Sequence, residues 1–377
     1  MHMDMGDAGG WQFMQDGALF ALFNHQGGPR GDTEFKAPNW WMGMAARDVG
    51  ESRLTLHAMF SLDPATAGRN GYADLFQVGE ALDGRPLVDR QHPHDFFMQL
   101  SASWRTSIGD ATALTISGGP VAEPALGPVA FMHRPSASEY PFAPLSHHTF
   151  DSTHITFGVV TAGIERGPVT AEASVFNGRE PDERRWDFDF GRLDSVSGRM
   201  RYRPRPTWEF QVSTGRLVDP EQLEPGNLYR TTASASWLSR EGDNFTAVMI
   251  GYGVNRHEQL RRQALTGEIT RRAGPTSFFG RVEVLQSETA LLLGRTLPLS
   301  DEQAQRKDVI GAFTIGAVRD VAEWGGLAGG VGAAATVYAV PDALRGAYGS
   351  QPVSFQVYFR VRPRGGHHVS EGDSHAP

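Results

Sequence analysis

Val353-Ser354-Phe355-Gln356-Val357-Tyr358-Phe359-Arg360-Val361-Arg362 is the stretch on which the reading of the fold turns. Val353, Phe355, Val357, Phe359 and Val361 project to one side of an extended chain, and Ser354, Gln356, Tyr358, Arg360 and Arg362 to the other. A period of two is the pleat of a β-strand with one apolar and one polar face. The same alternation recurs along most of the chain in pieces of about ten residues, the length that crosses a bilayer as a tilted barrel strand. About sixteen such pieces are legible, among them 52–61, 193–202, 208–216 and 229–238, which predicts an all-β, antiparallel transmembrane barrel.

The connections sort by length. Short ones rich in Gly, Pro and Asp (48–51, 107–110, 166–168, 203–206, 239–244, 273–275) are turn compositions. Long ones fall between them (24–39, 62–95, 119–153, 177–192, 217–228, 286–308, 340–352). Bacterial barrels have short periplasmic turns and long outer loops. An outward-running first strand and an even strand count put every short turn and both termini on the periplasmic side. A soluble sandwich has no reason to sort its loops so.

Parity assigns the faces. Trp208, Phe210 and Val212 face lipid, and Glu209, Gln211 and Ser213 the lumen; Leu54, Leu56, Ala58 and Phe60 oppose Arg53, Thr55 and His57. A charge on the lipid face costs about 2–4 kcal/mol near the midplane, and the segregation avoids it. The lumen then holds Arg53, Arg105, Arg199, Arg201, Arg230, Arg281 and Arg360 against Glu172, Glu209, Glu268 and Glu283. Opposed charges make either a porin eyelet or a salt-bridged, filled interior.

Composition agrees. The 377 residues contain no cysteine, which excludes disulfides, thiolate metal sites and haem attachment through CxxCH. Mean hydropathy is −0.35, and no apolar run reaches the length of a membrane helix. A net charge of −8 argues against a nucleic-acid partner. The opening MHMDMGDAGGWQF is not a signal peptide, so the start is read as mature or truncated. The domains expected are a flexible N-terminus (1–10), the barrel (11–363) and a polar, disordered tail (364–377) with His367, His368 and His375.

Candidate chemistry gathers in two loops. His92 and His94 lie in DRQHPHD, His133 in FMHRP, and His147, His148 and His154 in SHHTFDSTH; His57 is on a lumen face, so seven of the thirteen histidines fall in one region. Asp89, Asp95 and Asp151 accompany them. Imidazole and carboxylate together suit Zn²⁺, Cu²⁺ or Ni²⁺, and His-Pro-His places two imidazoles on one side of an extended segment. His57, His92, His94, Asp95, His133, His147, His148 and His154 are therefore the candidate ligands, with a copper or zinc ion as the candidate cofactor. The competing reading is that His, Asp and Arg residues (Arg90, Arg134, Asp89, Asp95, Glu123) lock the loops by hydrogen bonds. His2-Met3-Asp4-Met5 alternates thioethers with harder donors, and thioethers prefer Cu(I). Ser136, Ser138, Ser146 and Ser152 lie near histidines, but no GxSxG elbow is present and no catalytic residue is assigned. Glu180, Asp182 and Glu183 alternate with Arg and read as a solvated salt-bridge network.

Several long segments carry a resemblance: NHQGGPRG (24–31), LVDRQHPHDFFMQL (87–100), EPALGPVAFMHRPSA (123–137), APLSHHTFDSTHITFGVVTAG (143–163) and FNGREPDERRWDFD (176–189). They resemble a family of uncharacterised outer-membrane β-barrel proteins of Gram-negative bacteria, often encoded near copper and heavy-metal resistance genes. The resemblance implies an outer-membrane location and a link to metal homeostasis. It transfers no catalytic role.

The expectation is thus a single barrel in the outer membrane, in contact with lipid. Loops 62–95 and 119–153 fold inward and meet. The leading function is a non-enzymatic channel or metal-binding barrel, copper first, with periplasmic metal-handling proteins as candidate partners. A closed structural or partner-binding barrel and a membrane-embedded hydrolase are the alternatives.

Overall fold

The computed structural model describes residues 10–258, 260–294, 300 and 305–364. Sixteen antiparallel strands form the wall: β1 (Gln12–His25), β2 (Asn39–Val49), β3 (Ser52–Phe60), β4 (Phe97–Ser107), β5 (Thr112–Ala122), β6 (Thr156–Arg166), β7 (Val169–Phe176), β8 (Ser195–Arg205), β9 (Trp208–Val218), β10 (Asn227–Glu241), β11 (Asn244–His257), β12 (Leu260–Ala273), β13 (Thr276–Glu288), β14 (Lys307–Trp324), β15 (Leu327–Ala339) and β16 (Val353–Pro363). Each pairs with its sequence neighbours, and β16 returns to β1 with Arg360 opposite Phe20. Closure removes the free edges that an open sheet exposes, which hydrocarbon does not tolerate.

The closing strand shows why this sequence makes a barrel wall. Val353, Phe355, Val357 and Phe359 are 37–48% exposed, whereas Ser354, Gln356 and Arg360 are at most 1% exposed. An apolar outside and a buried polar inside is inverted relative to a soluble protein, and only a lipid exterior makes it favourable. Phe210 and Val212, Ile250 and Tyr252, Val282 and Val284, and Phe313 and Ile315 repeat it around the circumference.

Two details depart from the sequence reading. β11 ends at His257 opposite Leu260, where β12 begins, so one expected long-loop position holds paired strands instead. The strands run on through polar residues, with Asn255 opposite Arg262 and His257 opposite Leu260. The 24–39 and 340–352 loops also carry structure: Thr33–Lys36 pairs with the end of β1, and Asp342–Tyr348 is a short helix. Residues 1–9 and 365–377 lie outside the described residues, and with them His2, Met3, Asp4, Met5 and the tail histidines.

The hydrophobic core sits in the lumen. Loops 61–96 and 123–155 both enter it and meet: Tyr72 packs on Phe142 at 4.6 Å between ring centroids, and Gln77 Nε2 donates to Pro144 O at 3.3 Å. Leu75, Phe76, Leu145 and Phe150 from the loops pack with Tyr338, Leu344 and Tyr348. Full burial of a side chain like Phe76 is worth about 1.5–3 kcal/mol. Gly71 allows the close approach inside the first loop: its φ is +60°, and a Cβ there would meet the Gln91 carbonyl at 1.8 Å.

Candidate functional site

Polar anchors seat the second loop (123–155) on the wall. Arg134 is 5% exposed and reaches β12 through two bonds to Glu268, at 2.8 and 3.0 Å. Its other arm holds Asp151 at 2.5 Å within the loop. Glu139 receives Ser277 Oγ at 3.0 Å and the guanidiniums of Arg360 and Arg362. Ser146 donates through both N and Oγ to Glu283, at 3.0 and 2.9 Å. A buried charge is tolerated only when paired, so these pairs fix one seating of the loop. Together the two loops form a plug.

The plug carries a row of imidazoles. Ring centroids run His92–His148 6.0 Å, His148–His147 5.3 Å, His147–His154 5.1 Å and His154–His94 5.7 Å. Their nitrogens, however, go to different partners. His92 Nε2 faces Glu80 Oε1 at 2.8 Å and its Nδ1 faces Pro93 O at 3.1 Å, so both nitrogens point at oxygens of its own loop. His94 Nδ1 donates to Asp63 at 2.8 Å, so the two imidazoles of the His-Pro-His segment turn to separate carboxylates. His147 Nδ1 donates to Asp151 at 2.8 Å, and His154 Nδ1 to the Asp151 carbonyl at 2.9 Å. Asp95 binds Arg185 at 3.1 Å, and Arg185 also binds Glu80.

Burial sets the charge states. It pushes the His147 imidazole down to about 4, against the pull of Asp151, and it lowers His92, His148 and His154. Burial also opposes ionisation of Asp151, but Arg134 and His147 outweigh it and hold that carboxyl below its usual range. His92, His147, His148 and His154 are therefore held in the neutral form at pH 7, the form that ligates a metal.

His57 and His133 sit elsewhere, on a cavity of about 210 Å³ beneath the plug. Arg53, Arg105 and Glu165, near the short-turn ends of their strands, line its mouth and are 26–30% exposed. Met42, Met59 and Met98 line its inner part and are 8% exposed or less. The cavity thus opens toward the short turns. His133, edge-on to Trp40 at 4.9 Å, and His154 line it from the loop side. His154 Nε2 is buried without a hydrogen-bond partner.

The other lumen charges pair locally. Arg199 and Arg201 each bind Glu172 at 2.9 Å, Arg203 binds Glu209 at 2.6 Å, Arg53 binds Asp48 at 2.9 Å and Arg105 binds Glu165 at 3.3 Å. Arg230 donates to neutral oxygens of Asn255, Ser152 and His148. Among the described residues this is a packed interior with no two facing rows of free charge. Ser136 and Ser146 donate to Glu268 and Glu283, Ser152 accepts from Arg230, and the Ser138 hydroxyl is buried without a partner.

Sequence reasoning misplaced two participants in the plug. Glu180 and Arg185 come from the loop read as solvated, yet Arg185 is 6% exposed and Glu180 turns toward His148. Among the described residues, two groups bring three His or carboxylate donors within 4.8 Å of one another: His148 with Glu180 and Glu221, and Asp182 with Asp187 and Asp189. His57, His92, His94, Asp95, His133, His147 and His154 belong to neither group.

No protein-family model matches the chain, and no curated protein matches it in sequence. Solved structures match its fold. OprB of Pseudomonas putida superposes with a TM-score of 0.58 at 10% identity, over 95% of this chain and 94% of that one. The fold is that of the outer-membrane porin barrels. OmpT, an outer membrane protein of Vibrio cholerae, gives 0.53 at 10% identity over 96% and 100% of the two chains. An anion-selective porin from Comamonas acidovorans gives 0.51 at 11% identity over 94% and 100%. At such identities the wall is shared and the lumen residues are this chain's own.

Proposed function

We propose that this porin-like barrel is a non-enzymatic protein of the Gram-negative outer membrane that binds metal ions in its lumen, copper first. One observation carries the reading. On β2 and β3, Met42 is paired with Met59 and Met44 with His57, and all four side chains line the cavity beneath the plug. Directly opposed residues on neighbouring strands have Cβ atoms about 4.5–5.5 Å apart, so the four form a compact square of three thioethers and an imidazole. Thioether donors select Cu(I), and imidazole suits copper as well. Met98 and the imidazoles of His133 and His154 extend the same donor chemistry around the cavity. With short turns periplasmic, the cavity faces the periplasm, where metal-handling proteins would meet it.

The plug supports ion binding or slow ion passage over bulk diffusion, because its anchors fill the outer part of the lumen. The same anchors favour, as the second reading, a closed barrel without transport.

Competition for Cu(I) between a chromophoric chelator and the detergent-purified chain tests the proposal. Wild type should withdraw about one equivalent, and Met44→Leu/Met59→Leu, which keeps the packing volume, should withdraw at least tenfold more weakly. Equal uptake by both proteins would refute the site.

A further inference from the structure

A second donor set lies on the opposite side of the plug from the methionines. We propose that His148, Glu180 and Glu221 form a binding site for a borderline divalent cation of the Zn²⁺ class, which staples three outer loops over the plug. The inference stands independently of the copper reading, since it shares no residue with the cavity.

The three donors come from three loops, 123–155, 177–194 and 219–226, and lie within 4.8 Å of one another. Their convergence is built. The His148 carbonyl accepts from Arg230 Nη2 at 2.7 Å and from Asn255 Nδ2 at 2.8 Å, which fixes the backbone beneath the ring. Gly79 lies against the imidazole so closely that a Cβ there would come within 2.5 Å of it. Glu180 N donates to Pro220 O at 3.0 Å, which ties the second and third loops together beside the carboxylates.

Two of its donor atoms find no partner in the protein. His148 Nδ1 and Glu180 Oε2 are buried without a hydrogen-bond partner, although Nδ1 stands 3.4 Å from Glu180 Oε1. The neighbouring guanidiniums make their hydrogen bonds elsewhere: Arg262 to Glu224 and Glu288, Arg185 to Glu80 and Asp95, Arg230 to neutral oxygens. A dication between the two carboxylates balances their charge and takes up the imidazole lone pair.

Zn²⁺ binds imidazole nitrogen and carboxylate oxygen at about 2.0–2.2 Å, and three protein donors leave a fourth position for water. Tetrahedral binding needs the donors to close by up to about 1.5 Å, which rotation of two Glu side chains supplies. The set lacks the thioethers that select Cu(I).

The test is calorimetric titration of the full chain in detergent with Zn²⁺. It is done in a background where His2, His367, His368 and His375 are Ala, so that the termini contribute no imidazole. One equivalent should bind. Glu221→Gln and Glu180→Gln, which keep shape and remove charge, should each weaken binding about 10–100-fold, and Met44→Leu/Met59→Leu should leave it unchanged. Cobalt(II) should give a visible absorption band that disappears in Glu221→Gln. Absence of saturable Zn²⁺ binding, or equal binding by the Gln variants, overturns the proposal. Loss of Zn²⁺ binding in the methionine variant instead assigns the ion to the cavity, and also overturns it.

Discussion

Replacing Arg134 by Met should unseat the plug while leaving the barrel closed. The guanidinium holds Glu268 by two bonds, Asp151 by one and the Val129 carbonyl by another at 2.8 Å. Its removal leaves two carboxylates whose side chains are at most 1% exposed. Asp151 keeps His147, but Glu268 keeps only Ser136 and an Arg281 nitrogen at 3.6 Å. Breaking one partner of a buried pair costs about 3–5 kcal/mol, because the orphaned charge stays buried. The wall has its own closed ladder, so the cost falls on the seating of loop 123–155. At 1.4 kcal/mol per factor of ten, the ratio of seated to unseated plug falls roughly 10²- to 10³-fold or more. Single-channel recording in planar bilayers should show frequent opening where wild type is nearly silent, and limited proteolysis should cut within 123–155. Adding Glu268→Leu should recover part of the loss, since it removes the stranded charge; the coupling from such a cycle should be about 0.5–3 kcal/mol. A variant as silent and as protease-resistant as wild type would refute the assignment of Arg134 as the main anchor.

Two further outcomes follow from the same geometry. Burial opposes ionisation of Glu80, but Arg185 and His92 outweigh it and bring its carboxyl down to about 2. A depressed carboxyl stabilises the fold fully above its unfolded value near 4.5 and loses that contribution as pH falls toward 2, so acid should loosen the first loop over this window and Glu80→Gln should flatten the profile of loop protease resistance. On the outer wall, Ile315, 59% exposed midway along β14, should tolerate Leu, whereas Ile315→Arg should cost about 2–4 kcal/mol in folding titrations into lipid vesicles; no loss would mean that this face does not meet hydrocarbon.

The wall was legible because each strand repeats one local rule. Apolar and polar residues alternate wherever lipid lies on one side, and the parity of Phe355 and Gln356 is readable without any partner. The rule ends where the lipid ends. At Asn255-Arg256-His257 and Arg261-Arg262 the strands rise above the apolar belt, alternation fades, and paired strand ends look like a loop. The site obeys no period at all. His92 and His148 were visible as types, but their environments depend on residues far along the chain: Glu80 meets Arg185 at a separation of 105 residues, and Arg134 meets Glu268 at 134. Met42, Met44 and Met59 were missed because a methionine on a strand reads as packing until register shows what stands opposite it.

The two donor sets differ in softness and in side, and the plug between them decides whether they communicate. His147 lies between His148 and His154, with ring centroids 5.3 and 5.1 Å away. It is 1% exposed, and its Nδ1 is committed to Asp151, which Arg134 holds in turn. An Nδ1–H bond to a carboxylate leaves the Nε2 lone pair as the donor that a ligand could take. Arg134, through Asp151, therefore sets the orientation of the middle imidazole of the row, and releasing the anchor would change how ions at the two proposed sites communicate.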